Sequence, residues 1–134
     1  MNSKYPLIII LIVIAVILYG YFNANKNKAK LLNNYKFTVA RITTDWHYKN
    51  DNGIGVDYEY DVNKKKYSST VNVDVKNNET YLLIYDSLNP RSCLVLEMYP
   101  IYDSIEPPKN GWKYEEVPIR VDTLRIKEHI NKYK

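Results

Sequence analysis

The sequence predicts a mainly β protein: a small antiparallel β-sandwich or barrel preceded by a single N-terminal transmembrane helix and followed by a short C-terminal helix. Three observations carry that expectation. Residues 7–19 read LIIILIVIAVILY, without one charge. From Tyr35 onward tyrosine and β-branched residues dominate, and apolar and polar positions alternate. Clusters of Asn, Asp, Gly and Pro then cut the chain into five or six short runs. The predicted division is 1–24 as transmembrane anchor or signal segment, 25–34 as juxtamembrane linker or helix, 35–121 as β-domain, and 122–134 as C-terminal helix.

The apolar stretch from Pro6 to Phe22 covers 17 residues. At about 1.5 Å per residue it spans roughly 25 Å, the short end of what a bilayer core requires. A surface helix of a soluble domain is apolar on one stripe only, so this run predicts membrane contact through residues 6–22. A cleaved signal peptide is the competing reading, because Lys4 precedes a short apolar core. Cleavage needs small residues, whereas Tyr19, Tyr21 and Phe22 crowd the end of the run and only Ala24 offers a site. Aromatic residues there suit a membrane interface, which favours an anchor.

The chain's net charge is +4, yet residues 37–134 hold 14 basic and 15 acidic side chains. The excess is juxtamembrane, at Lys4, Lys26, Lys28, Lys30 and Lys36, where lysines meet anionic headgroups. No basic balance is left for neutralising phosphates, so no nucleic-acid partner is expected. Counting flanking lysines places the domain in the cytoplasm; a short N-terminal tail before a large domain equally suits export. A single cysteine, Cys93, excludes an intrachain disulfide and a lipoprotein signal.

The first predicted strand is KFTVARITTDWHY, 36–48. KNDNGIG, 49–55, is a turn. VDYEYDV, 56–62, is the clearest strand: Val56, Tyr58, Tyr60 and Val62 share one face, and Asp57, Glu59 and Asp61 the other. NKKK, 63–66, turns into YSSTVNVDV, 67–75. Pairing Val62 with Tyr67 sets Tyr60 opposite Ser69, Tyr58 opposite Val71 and Val56 opposite Val73, which aligns the apolar faces. TYLLIYD, 80–86, and CLVLEMY, 93–99, are strands joined by the tight connection DSLNPRS, where Pro90 keeps Asn89 out of the helical region. Residues 99–112 are an irregular loop. YEEVPIRV, 114–121, reads as a strand at a sheet edge because of Pro118. Asp122 caps a tail helix with Ile126, Ile130 and Tyr133 on one face. A core this small is marginal, and 14 tyrosines add buried area.

Two stretches, YEYDVNKKKYSS (58–69) and YLLIYDSLNPRSCLVL (81–96), resemble an uncharacterised bacterial family of membrane-anchored small β-domains, a domain of unknown function. That family shows a Tyr-x-Tyr strand, a turn, a second Tyr-bearing strand, and an apolar strand ending in a Tyr-x-Pro-x-Asn-Pro-like motif. Ser87 stands at the place of the first proline, and KNNE replaces a glycine common before that strand. The likeness spans about 60 residues and leaves out 100–134. It implies a fold and a membrane setting, and no catalytic residues.

The functional expectation is a single-pass membrane protein displaying a non-enzymatic β-domain for protein or envelope interaction. Trp46, Tyr48, Trp112 and Tyr114, aromatics in or beside loops, form its candidate binding surface, with Tyr99 and Tyr102 as further members. An enzyme built on Cys93 with His47 or His129 as base is the alternative; no local signature supports it. Two histidines and one cysteine lack zinc-ligand spacing, so no metal is expected. Asp57, Glu59 and Asp61, with Asp74 across the hairpin, line a flat ridge rather than a Ca²⁺ loop. No cofactor is expected, since no Gly-rich phosphate loop is present.

Overall fold

The computed structural model describes residues 5–49 and 53–133. Helix α1 (Tyr5–Asn33) leads into six strands: β1 (Tyr35–Ile42), β2 (His47–Lys49), β3 (Gly53–Val62), β4 (Lys65–Val71), β5 (Thr80–Asp86) and β6 (Asn89–Ile101). A single 3-10 turn (Tyr114–Glu116) and helix α2 (Thr123–Tyr133) follow. All six strands join one antiparallel sheet, in which β3 pairs with β4, β2 and β1, β1 with β5, and β5 with β6.

Helix α1 is one continuous element of 29 residues, so the apolar span and the polar segment after it are the same helix. Its apolar stretch is long enough to cross a bilayer and is entirely uncovered by the rest of the chain. Its last turns behave differently. Leu31 is fully buried, and the Asn34 carbonyl accepts a 2.9 Å bond from the Ser87 amide at the β5–β6 turn. The segment expected as a linker or helix is therefore a helix, and its last turn is built into the domain.

The first predicted strand is interrupted. β1 pairs with β3 as Ala40↔Tyr60 to Ile42↔Tyr58, and β2 resumes the pairing as His47↔Gly55. The offset between these pairs shows two extra residues on the β1–β2 side. Thr44 holds the gap closed: its hydroxyl accepts the Asp57 amide at 2.9 Å. Strand β3 starts at Gly53, inside the predicted turn; residues 50–52 of that turn lie outside the described residues.

The β3–β4 register differs from the expected one by two residues. Tyr60 faces Tyr67, Tyr58 faces Ser69 and Val56 faces Val71. The cause is the turn. Asn63 and Lys64 both have positive φ, 53° and 64°, the signature of a two-residue type I′ connection. Lys65 and Lys66 thus belong to the strand. A two-residue shift leaves every side chain on its original face, which is why the face assignment survives. β4 ends at Val71, and Val73 and Val75 are buried outside regular structure. Lys64→Gly should stabilise the domain by about 1 kcal/mol, because a left-handed non-glycine residue carries that order of cost. Thermal melts of the two proteins, compared in the same detergent, check this.

β5 spans the predicted 80–86 and is buried on both faces, which explains its unbroken YLLIY run. Tyr81, Leu83 and Tyr85 enter one apolar cluster; Leu82 and Ile84 enter the other. Side chains of β3 reach β6 although β1 and β5 lie between them. The Tyr60 hydroxyl donates to the Pro90 carbonyl at 2.8 Å, and Tyr58 Oη lies 3.3 Å from Cys93 Sγ. Three strand spacings amount to about 14 Å in a flat sheet, so the sheet is strongly rolled. Two irregularities in β6 assist the roll. Three extra residues, 90–92, separate the pairs Asp86↔Asn89 and Tyr85↔Cys93; three more, 97–99, separate Leu82↔Leu96 and Tyr81↔Pro100. The first cluster fills the inside of the roll. The second lies outside, under Leu31, Trp112, Ile126 and Ile130.

Residues 114–121 are not a strand. They form the 3-10 turn and an irregular stretch that lays Val117, Ile119 and Val121 against the second cluster. Alternation arises here without a ladder, and Pro118 removes a donor that a strand would need. α2 follows prediction: the Asp122 carboxylate accepts the Leu124 amide at 2.8 Å, and Ile126 and Ile130 are buried.

Candidate functional site

The structure does not bring the four loop aromatics onto one exposed face. Trp112 is buried at 6 % exposure and extends β1 by a two-way backbone bridge to Phe37, with N···O distances of 2.8 and 2.9 Å. It takes the edge of β1 that β3 vacates on entering its turn. Tyr114 is half-buried against the second cluster, its hydroxyl donating to the Val121 carbonyl at 3.1 Å. Tyr99 is buried and its hydroxyl accepts the Asp122 amide. These three rings serve the core, as aromatic side chains with a polar handle do.

Trp46 and Tyr48 are exposed, Tyr48 at 83 %. Ile54, directly opposite Tyr48 in the β2–β3 pair, is exposed as well. The β2–β3 hairpin thus carries exposed apolar side chains on facing strands, with exposed Trp46 just before β2. Tyr102 is exposed elsewhere, on the segment leaving β6.

That segment builds a concavity. Residues 102–109 form a strap over the outer faces of β1 and β3, enclosing about 820 Å³, within the range typical of ligand clefts. Asn63 N donates to the Lys109 carbonyl, and Lys36 Nζ and Tyr85 Oη both reach the Asn110 carbonyl, at 3.1 and 2.8 Å. The floor carries Arg41, Glu59 and Asp61; the strap contributes Asp103, Glu106 and Lys109. Mixed charge of this kind suits a polar or peptide-like occupant better than an apolar one. Alternation in VDYEYDV marked Glu59 and Asp61 as outward-facing. Nothing in the sequence indicated that the strap would close over them.

Asp57 is the most heavily partnered carboxylate. Thr70 Oγ1 donates to its Oδ1 at 2.5 Å, Lys49 Nζ lies 3.0 Å away, and His47 Nε2 is 3.5 Å from Oδ2. The Thr70 hydroxyl, followed by Lys49, lowers its pKa below the ordinary carboxylate value. Asp74 does not lie beside it, because the shifted register puts Thr70 there; the Asp74 amide donates to Glu97 instead. Glu59 pairs with Lys66 at 3.3 Å. Two of the three ridge carboxylates, Asp57 and Glu59, are thus paired with lysines, and among the described residues no three metal-binding side chains cluster.

Cys93 is buried inside the roll, and its hydrogen-bond partners are the hydroxyls of Tyr58 and Tyr60, each at 3.3 Å. Burial pushes both phenols well above their ordinary pKa. Neither imidazole is among its partners. His47 bonds the Asp45 carbonyl at 3.0 Å, and His129 Nε2 bonds the Val95 carbonyl at 3.0 Å. A base must reach the proton it takes, so these contacts offer Cys93 no activation.

His129 covers the β6 edge. Burial lowers its pKa; the Val95 bond and Glu97 act the other way, and Lys132 adds to the lowering. A histidine with a depressed folded-state pKa is protonated first in the unfolded chain, so stability falls as pH drops below the ordinary value near 6.5. Urea midpoints measured from pH 7 to pH 5 should therefore decline. His129→Gln should flatten that slope, at a cost of about 1 kcal/mol at neutral pH.

The chain matches no protein-family model, no curated protein and no solved structure.

Proposed function

We propose that this is a single-pass membrane protein whose α1 anchor is uncleaved and which displays its rolled sheet as a non-enzymatic binding module. The observation that carries the reading is the continuity of α1. An uncovered apolar span runs without a break into turns that pack in the domain core at Leu31. An anchor joined in this way holds the domain at a fixed attitude to the bilayer, which suits display. The resemblance to membrane-anchored β-domains points the same way. The exposed Trp46, Tyr48 and Ile54 are the contact surface offered to a partner, since solvent-facing aromatics of this kind favour interfaces.

Fractionation with intact mass measurement tests the anchor. A protein of 15.8 kDa that resists alkaline extraction from membranes is the expected result. A shortened chain beginning near Asn25 in the soluble fraction would overturn it. Protease treatment of sealed cells reads the side on which the domain lies. A photoreactive residue replacing Tyr48 tests the display surface against one replacing Leu124, which is also exposed. Adducts at position 48 alone support it; adducts at 124 alone refute it.

A further inference from the structure

A cleft of about 370 Å³ opens between α1 and the start of β6. Its walls are Ala24, Asn27 and Lys28 on the helix and Asn89, Arg91 and Ser92 on the strand. Two cations, two amides and a hydroxyl face it, and no carboxylate does. The three extra residues 90–92 of β6 supply two of these groups, so the cleft is a product of that bulge.

Its height is set by the chain. Ala24 is two residues past Phe22 and Lys28 is six past, which at 1.5 Å per residue is about 3 to 9 Å beyond the apolar span. The polar headgroup layer extends roughly 5–8 Å beyond the hydrocarbon core. The cleft therefore stands at headgroup level. Resting on the anchor reading given above, we propose that it receives the phosphoryl headgroup of an anionic lipid, with Lys28 and Arg91 on either side of the phosphate and the asparagine amides donating to its oxygens. Arginine and lysine bind phosphate by charge-assisted bonds, and an anchored domain meets lipid phosphate at far higher local concentration than any soluble anion. Leu88, 80 % exposed on the turn before Asn89, stands next to the cleft. The domain would thereby be pinned to the bilayer at a second point besides its helix.

The test uses the full chain in phosphatidylcholine vesicles with or without phosphatidylglycerol. Leu88→Cys carries an environment-sensitive dye; Cys93 is buried, and wild type treated alike gives the background. Emission should shift to the blue, and quenching by headgroup-attached spin labels should rise, when phosphatidylglycerol is present. Lys28→Gln and Arg91→Gln should each weaken this response roughly fivefold. An equal response in both lipids, or one untouched by the two variants, overturns the proposal. Loss of the response on adding inorganic phosphate would assign the cleft to a soluble phosphate instead. Flotation of the same samples separates the two readings: a protein that fails to float refutes the anchor, whereas one that floats with an unresponsive dye refutes only the cleft.

Discussion

Gly111→Ala should destabilise the domain by about 3 kcal/mol, combining the cost of a left-handed non-glycine residue with that of overpacking. Gly111 has φ 71° and sits between the strap and Trp112. A Cβ there would meet the Tyr85 hydroxyl and lie 2.6 Å from the Phe37 carbonyl. Neither neighbour can yield. Tyr85 is buried in the first cluster with its hydroxyl bound to Asn110, and the Phe37 carbonyl is committed to the Trp112 amide. The loss should lower the melting temperature by roughly 12–24 °C for a domain of this size. Gly53→Ala is the control. Gly53 also has positive φ, 89°, but nothing lies within 4 Å of its added Cβ. It should cost only about 1–2 kcal/mol. Equal losses at the two positions would show that the strap junction is not as tightly packed as its geometry indicates.

That junction also marks the limit of what local sequence reveals. Strands with a strong period or a strong composition were legible: VDYEYDV through its alternation, TYLLIYD through its continuous apolar run, α2 through Asp122 and its three spaced apolar residues. The turn NKKK was legible as a turn, yet its register was not. Type I′ geometry at Asn63 and Lys64 depends on two positive φ values that lysine rarely adopts, so the usual Asn-Gly signal was missing. Residues 114–121 misled in the opposite direction. Val117, Ile119 and Val121 alternate because they lean on the second cluster, and no neighbouring strand accompanies them. The division of the aromatics failed for the same reason. Trp46, between Asp45 and His47, and Trp112, between Gly111 and Lys113, look alike in sequence, since neither has a large apolar neighbour. Only the long-range bridge between Trp112 and Phe37 buries one of them. The cleft beside α1 was equally hidden, since it joins residues more than sixty positions apart.

Leu31→Ala should cost about 2–4 kcal/mol, as large-to-small changes at fully buried leucines do. The prediction separates two pictures of the segment that follows the apolar span. If residues 23–33 were a tether, Leu31 would be a surface residue of an isolated helix, and alanine, the better helix former, would be neutral or slightly stabilising. In the structure Leu31 belongs to the second cluster, with Phe37, Ile84 and Ile130. Removing its side chain leaves a cavity between the helix end and the sheet. The consequence reaches beyond stability. Once that contact is lost, only the partly buried Leu32 and Tyr35 and the Asn34–Ser87 bond hold the helix end to the sheet, and the polar segment should open to protease between Asn23 and Tyr35. Limited proteolysis of the full chain in nanodiscs reads this directly. Wild type should be resistant there, Leu31→Ala should be cut there first, and Leu124→Ala, at a site 70 % exposed, should behave as wild type. Under the anchor reading proposed above, a helix that is also a core element would tie the folding of the domain to its position on the membrane, so the same substitution that loosens the core should also release the domain from its fixed attitude.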